Sequence, residues 1–285
     1  MRPFIILQYL LPKHFLSRLV GFFAEGTLFK NFFIKVFIRR YKVDMSEALI
    51  QDINQFENFN GFFTRALKEN AREIENIPGV IVCPADGAVS QLGNIEDDKI
   101  LQAKDHSYSL IELLGGDLDI AEKFRSGSFA TIYLAPKDYH RVHMPLAGTL
   151  EKVIYIPGKL FSVNQLTAEY VSNLFARNER AVCYFSSDAG PMALILVGAM
   201  IVAGIETVWS GQICPSREPH KVQSTNFENR SPAIELATGS EMGRFKLGST
   251  AIVLFGPGAV TLDQNLSVSS RVKMGQKLGQ LNATL

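Results

Sequence analysis

Three short stretches of this sequence carry residue types that can make and break bonds. They are Asp86 in "CPADGAV", His140 and His143 in "APKDYHRVHMP", and Ser249 in "FKLGSTAIVLF". An aspartate, a histidine and a serine on three separate turns are the parts of a nucleophile with a charge-supported base, in which the carboxylate orients an imidazole and the imidazole takes the hydroxyl proton. Each stretch also has a plainer reading. Asp86-Gly87 suits a tight hairpin turn, and Gly248-Ser249 is common turn chemistry at the mouth of a β-run from Ala251 to Phe255. The two histidines could share a helical face as metal ligands, but Pro136 and Pro145 bracket them and no third ligand stands at the right spacing. No G-x-S-x-G elbow is present, which argues against an ordinary α/β-hydrolase.

The elements that must position these residues change in character along the chain. Residues 1–40 show helical periodicity, with Leu16, Leu19, Val20 and Phe23 in one segment and Phe29, Phe32, Phe33 and Val36 in the next. The helical reading continues to about Asn70, through the short amphipathic piece "NFNGFFTRAL". From Val80 onward, "VIVCPADGAVSQLG", "FATIYLA", "LEKVIYIPG", "AVCYF", "MALILVGAMIVAGIETVW", "STAIVLF" and "AVTL" are β-rich runs punctuated by Gly and Pro. "SLIELLGG" and "LFSVNQLTAEYVSNLF" have helical spacing. The expected class is α+β, a β-rich catalytic domain over 66–285 preceded by an amphipathic helical region over 1–65.

Charge separates the same two regions. The chain of 285 residues carries 29 Lys and Arg against 28 Asp and Glu, a net charge of +1. Residues 1–40 hold seven of the basic residues and a single acid, Glu25. That asymmetry argues against nucleic-acid binding by the body and for an anionic surface met by the N-terminus. The phenylalanine-rich faces among those charges suit helices lying on a membrane surface. No uncharged run reaches the length of about 18 residues that spans a bilayer, and no small-residue cleavage site follows the first apolar stretch. Cys83, Cys183 and Cys214 are few, odd in number and far apart, which fits a reducing, cytosolic setting rather than a disulfide framework or a thiolate zinc site.

In order, and across nearly the whole chain, "PADGAVSQLG", "YLAPKDYHRVHMP", "GKLFSVN", "NLFARNER", "ILVGAMIVAGIETVW" and "FKLGST...FGPG" resemble the bacterial phosphatidylserine decarboxylases; residues 213–240 look more individual. The resemblance implies that the chain is a proenzyme that cuts itself between Gly248 and Ser249, giving a β chain of 1–248 and an α chain of 249–285 that stay together as a heterodimer. It implies that Asp86 and His143 serve Ser249 in this self-processing, and that Ser249 becomes a pyruvoyl group able to form a Schiff base with the amine of phosphatidylserine, with no pyridoxal phosphate and no metal. His140 is then the candidate for proton delivery during decarboxylation, the alternative being that His143 serves both reactions. Phe161, Ser162 and Asn164 either line the substrate site or belong to a helix cap. The expected partners are phosphatidylserine and an anionic membrane, and the expected location is peripheral, on the cytoplasmic side of the cell membrane. Further homo-oligomerisation stays open.

A reading of another class competes with this one. "VKMGQKLGQL", "PADGAV" and "MPLAGTLEKV" resemble the short-strand hammerhead of biotinyl or lipoyl carrier modules, which would make Lys273 a modification site. A shared fold does not carry function, and intact mass separates the two, since a carrier gains an adduct and a self-cleaving enzyme splits.

Overall fold

The computed structural model describes residues 3–75, 77–103, 106–200, 204–214 and 221–282. Its centre is the strand Ser249–Phe255, which begins at Ser249 itself and pairs antiparallel with Gly190–Gly198 on one side and Ser128–Leu134 on the other. Every residue of this strand is buried. Ala251, Val253 and Phe255 enter one hydrophobic cluster while Ile252 and Leu254 enter another, the two-residue period of a strand with both faces covered.

The sheet extends outward in both directions from that strand. Its order is Gln223–Asn226, Gly148–Ile156, Arg180–Ser187, Gly190–Gly198, Ser249–Phe255, Ser128–Leu134, Gly87–Asn94 and Arg271–Val272, with Glu235–Leu236 also paired to Gly148–Ile156. One face is covered by a four-stranded sheet (Gly211–Cys214, Gly204–Thr207, Glu241–Lys246, Arg141–His143) and a three-stranded one (Val80–Val82, Lys277–Leu281, Val260–Leu262). The other face is covered by the short helices Leu110–Leu113, Leu118–Phe124, Gln165–Tyr170 and Leu174–Arg177. The architecture is the α+β, β-rich class expected from the sequence.

Three helices precede this body: α1 (Pro3–Leu10), α2 (Lys13–Glu25) and α3 (Lys30–Tyr41). Much of their apolar surface faces outward. In α2 the buried residues are Lys13, Ser17 and Ala24, and in α3 the one buried residue is Ile34. Leu19, Phe22, Phe23, Phe29, Phe32, Phe33 and Val36 stand exposed. The helical reading does not hold to Asn70. Beyond Tyr41 it survives only as one 3₁₀ turn, Ile53–Gln55, and α4 (Phe59–Phe63), which Asn58 caps by accepting from the Gly61 amide. The reason is a backbone pairing: Leu49 donates to Ala66 and Lys68 to Glu47, so the chain doubles back on itself in extended form. Likewise "LFSVNQLTAEYVSNLF" breaks into two helices at Val171–Asn173, where Asn173 takes φ 57°.

One buried side chain ties the segment around Phe161 to the central sheet. Asn178 accepts from the Phe161 amide at 3.1 Å and donates to the carbonyls of Phe161 and Gly198, both at 2.9 Å. Asn178→Leu strips these bonds from backbone groups that water does not reach. It should lower stability by about 2–4 kcal/mol, read as a lower urea midpoint at unchanged slope.

Candidate active site

The strand Glu241–Lys246 belongs to the four-stranded sheet, and Ser249 opens the central strand of the large one. Only Leu247 and Gly248 lie between, and both take positive φ, 76° and 60°. For leucine this costs about 1–2 kcal/mol. Its side chain is anchored in return, in a cluster with Ala24, Ile34, Val43, Phe56, Phe62 and Phe63. At Gly248 a side chain would meet nothing within 4 Å, so the glycine serves the left-handed backbone and leaves the carbonyl uncrowded. Next to it Ser249 is fully buried, and its Oγ has no hydrogen-bond partner. An unpaired buried hydroxyl costs about 1–3 kcal/mol and calls for a functional reason.

The two histidines come from the strand beside Glu241–Lys246 and the residue just before it. The carbonyl of His140 accepts from the Phe245 amide, while His143 lies opposite Glu241, three residues further along and further from Ser249. His140 is fully buried, with the Phe63 ring at 4.1 Å between centroids. Its Nδ1 donates to the Asp138 carbonyl at 2.8 Å, which fixes the tautomer, and its Nε2 has no partner. Burial pulls its pKa down to about 3, opposed by the bond to Asp138 and assisted by the nearby Arg65 charge. His143 repeats the pattern: Nδ1 donates to the Gly239 carbonyl at 2.8 Å and Nε2 accepts from the Tyr139 hydroxyl at 3.0 Å. Burial lowers its pKa as well. Both rings are therefore neutral, with Nε2 as the basic nitrogen.

Asp86 lies at the same end of the large sheet, because Gly87 starts the strand next to Ser128–Leu134 and Leu134 pairs with Ser249. The Asp-Gly pair is not a hairpin. The strand before it, Val80–Val82, pairs with Lys277–Leu281, and the strand after it pairs elsewhere. The Asp86 carboxylate accepts from Arg72 Nε at 3.0 and 3.2 Å, from Arg72 Nη2 at 2.5 Å and from the Met274 amide at 2.9 Å. Its hydrogen bonds thus go to Arg72 and Met274, and those of His143 to Gly239 and Tyr139. What joins the two is the backbone, through the His143 amide and the Pro84 carbonyl at 2.8 Å, together with the Asp86 charge, which favours protonation of His143.

The segment from Phe161 to Asn164 lies on the other side of Ser249, bridged through Asn178 to Gly198, the strand partner of Ser249. Asn164 caps the helix Gln165–Tyr170 by accepting from the Thr167 amide, the Ser162 amide donates to Gln8, and Phe161 meets Tyr9 edge-on. Arg72, Tyr139 and Leu247 are participants that sequence reasoning missed. Tyr139 was visible inside the histidine motif, whereas nothing near Arg72 marks it as the partner of a residue in another segment. Among the described residues no group of three or more His, Cys, Asp or Glu side chains is placed to hold a metal ion.

The family model described as phosphatidylserine decarboxylase matches residues 59–280, and a second, described as PSD, matches residues 3–42. A phosphatidylserine decarboxylase proenzyme of Pseudomonas fluorescens is 60% identical over 280 residues, 98% of this chain and 97% of the relative. Those of Ectopseudomonas mendocina and Pseudomonas aeruginosa are each 59% identical, over 98% and 97% of this chain and 98% and 96% of the relatives.

The buried neutral His140 makes the fold acid-sensitive. Its folded pKa of about 3 lies below the ordinary value of 6.5. As pH falls from about 6.5 toward 3 the unfolded chain binds the proton first, and up to about 1.4 kcal/mol of stability is lost per pH unit; above that window the loss is absent. In a Ser249→Ala background, His140→Gln should flatten the fall of the urea midpoint between pH 6.5 and 4. Parallel pH dependence of the two proteins would refute this.

Proposed function

The chain belongs to the phosphatidylserine decarboxylase family, and from that premise we propose that Ser249 is the residue it converts into its own pyruvoyl group. The enzyme removes the carboxylate of phosphatidylserine as carbon dioxide and leaves phosphatidylethanolamine. The observation that carries the assignment of Ser249 is its buried, unpartnered hydroxyl directly after a two-residue left-handed link. Ser249 Oγ attacks the Gly248 carbonyl carbon, the peptide nitrogen leaves that carbon, and the amide becomes an ester. Loss of the Ser249 α-proton then expels the Gly248 carboxylate, and hydrolysis of the remaining unsaturated residue releases ammonia.

His143 is the base for these steps. Its Nδ1–H is held by the Gly239 carbonyl, so Nε2 is the proton acceptor once the Tyr139 hydroxyl turns away. Asp86 supports the imidazolium that forms through its charge rather than through a direct bond. His140, with a bare Nε2 in an apolar setting, serves proton transfer in the decarboxylation itself. When formed, the ketone at position 249 supplies an electron sink for the substrate carbon that loses its carboxylate. Phe161 and Ser162, bridged to Gly198 through Asn178, form the wall on the far side of Ser249. The two pieces stay associated because the Ser249–Phe255 strand is held by strands of the β chain on both sides.

The N-terminal region brings the enzyme to its lipid. The outward apolar faces of α1, α2 and α3 carry Phe and Leu side chains between basic ones, the composition of a surface that dips into an anionic interface on the cytoplasmic side. A groove of about 590 Å³ between α2, α3 and α4 runs from Phe33 to Leu247, two residues before Ser249, and is wide enough for acyl carbons. Among the described residues no helix is long and apolar enough to cross a membrane.

Ser249→Ala and His143→Ala should remain single chains near 31.6 kDa, while His140→Ala should split into pieces of 248 and 37 residues yet release carbon dioxide about 10²–10⁴-fold more slowly. The wild-type enzyme should be inactivated by hydroxylamine, which attacks a ketone. Complete self-cleavage of His143→Ala would remove that residue as the processing base. For the membrane, Phe22→Glu, Phe29→Glu and Phe32→Glu combined alter only exposed positions, and should abolish flotation with anionic liposomes without changing self-cleavage. Undiminished flotation would take the N-terminal faces out of the account.

A further inference from the structure

A polar cavity of about 490 Å³ opens beside the loop that carries His140, and its wall holds six basic and four acidic side chains. The acids are already matched. Asp86 is bound by Arg72, Glu47 by Arg72 and Lys273, Asp138 by Arg271, and Asp44 accepts from the Ser46 amide. Arg65 is left over. It is 5% exposed, its Nε has no partner, and its Nη2 reaches only the Lys137 carbonyl at 3.3 Å. Among the described residues no carboxylate bonds it, and Lys137 in the same wall is likewise without an acidic partner. A buried guanidinium with an unused donor is costly to keep unless an anion arrives to complete it.

The position of Arg65 says which anion. Its guanidinium carbon lies 5.7 Å from the Phe62 ring, in the cluster that also holds Leu247 and adjoins the apolar groove. Its other side faces the polar cavity, and the neighbouring Phe63 and Thr64 touch His140 and Arg141. Arg65 therefore stands on the seam between an apolar compartment and a charged one, next to the reacting end of the site. In a diacyl phospholipid the group at that seam is the phosphodiester.

We propose that Arg65 is the receptor for the phosphodiester of the lipid substrate, with Lys137 beside it, a role that rests on the decarboxylase reading of the site. The substrate offers a second anion, its carboxylate, but that group must surrender its charge as carbon dioxide leaves. A guanidinium on it would stabilise the ground state more than the transition state. The phosphodiester keeps its charge throughout, so a cation there adds binding equally to both states and appears in KM.

The test uses the full chain with Arg65→Gln and Arg65→Lys, measuring carbon dioxide release from dioctanoyl phosphatidylserine in detergent mixed micelles and inhibition by dioctanoyl phosphatidylethanolamine. The product keeps the phosphodiester and lacks the carboxylate. Arg65→Gln should self-cleave, keep kcat within about twofold, and raise both KM and the product inhibition constant about tenfold or more, with Arg65→Lys between it and the wild type. A raised KM with unchanged product inhibition would assign Arg65 to the carboxylate and overturn the proposal, as would unchanged values of both. A fall in kcat alone, or failure of both variants to self-cleave, would place Arg65 in support of the histidine loop and overturn it as well. Failure of the decarboxylase reading is distinct, since the wild type itself would then release no carbon dioxide.

Discussion

A two-residue link between two sheets is the constraint on which the rest of the structure depends. Lys246 is fixed by pairing with Gly204, and Ser249 by pairing with Leu134 and Gly198, so Leu247 and Gly248 have to turn the chain from one sheet into the other. Positive φ at both is the result. The cost falls on the link itself, which the strand pairing on either side holds in place. Strain of this kind persists only where the surroundings over-determine it, and here two hydrogen-bonded ladders do so.

Leu247 extends that constraint to the N-terminus. Its side chain packs with Ala24 of α2, Ile34 of α3 and Phe62 and Phe63 of α4. The inward faces of α2 and α3 thus help to locate this junction, while Phe22, Phe23, Phe32 and Phe33 of the same helices stand exposed. The same aromatic cluster carries Phe63 onto His140, so the helical region also helps to keep that imidazole neutral.

Much of this was legible in the sequence because it is local. "STAIVLF" has no alternation, which is what a strand covered on both faces requires, and of the residues that carry the periodicity over 16–36, Leu19, Phe23, Phe29, Phe32, Phe33 and Val36 stand exposed while Val20 packs inward. The motifs around Asp86, His140 and Ser249 read as separate turns; strand pairing brings Gly87, Leu134 and Ser249 to one end of the large sheet. What failed was non-local. The aromatic spacing of "NFNGFFTRAL" reflects packing of Phe59, Phe62 and Phe63 around Phe37 rather than a long helix, and the helix stops at Thr64. Arg72 and Asp86 lie on separate segments joined by an irregular stretch, so no period links them. Asn164 shows the converse, a residue whose capping role was one of two local readings and is the one its hydrogen bonds fill.

The charges around the site form a graded arrangement. Asp86 and Asp138 are each neutralised by an arginine at 2.5 Å, so neither presents a free anion to an approaching phospholipid. Among the described residues of that cavity wall, Arg65 is the buried cation left without such a match. Its charge lowers the pKa of His140 and so adds to the effect of burial.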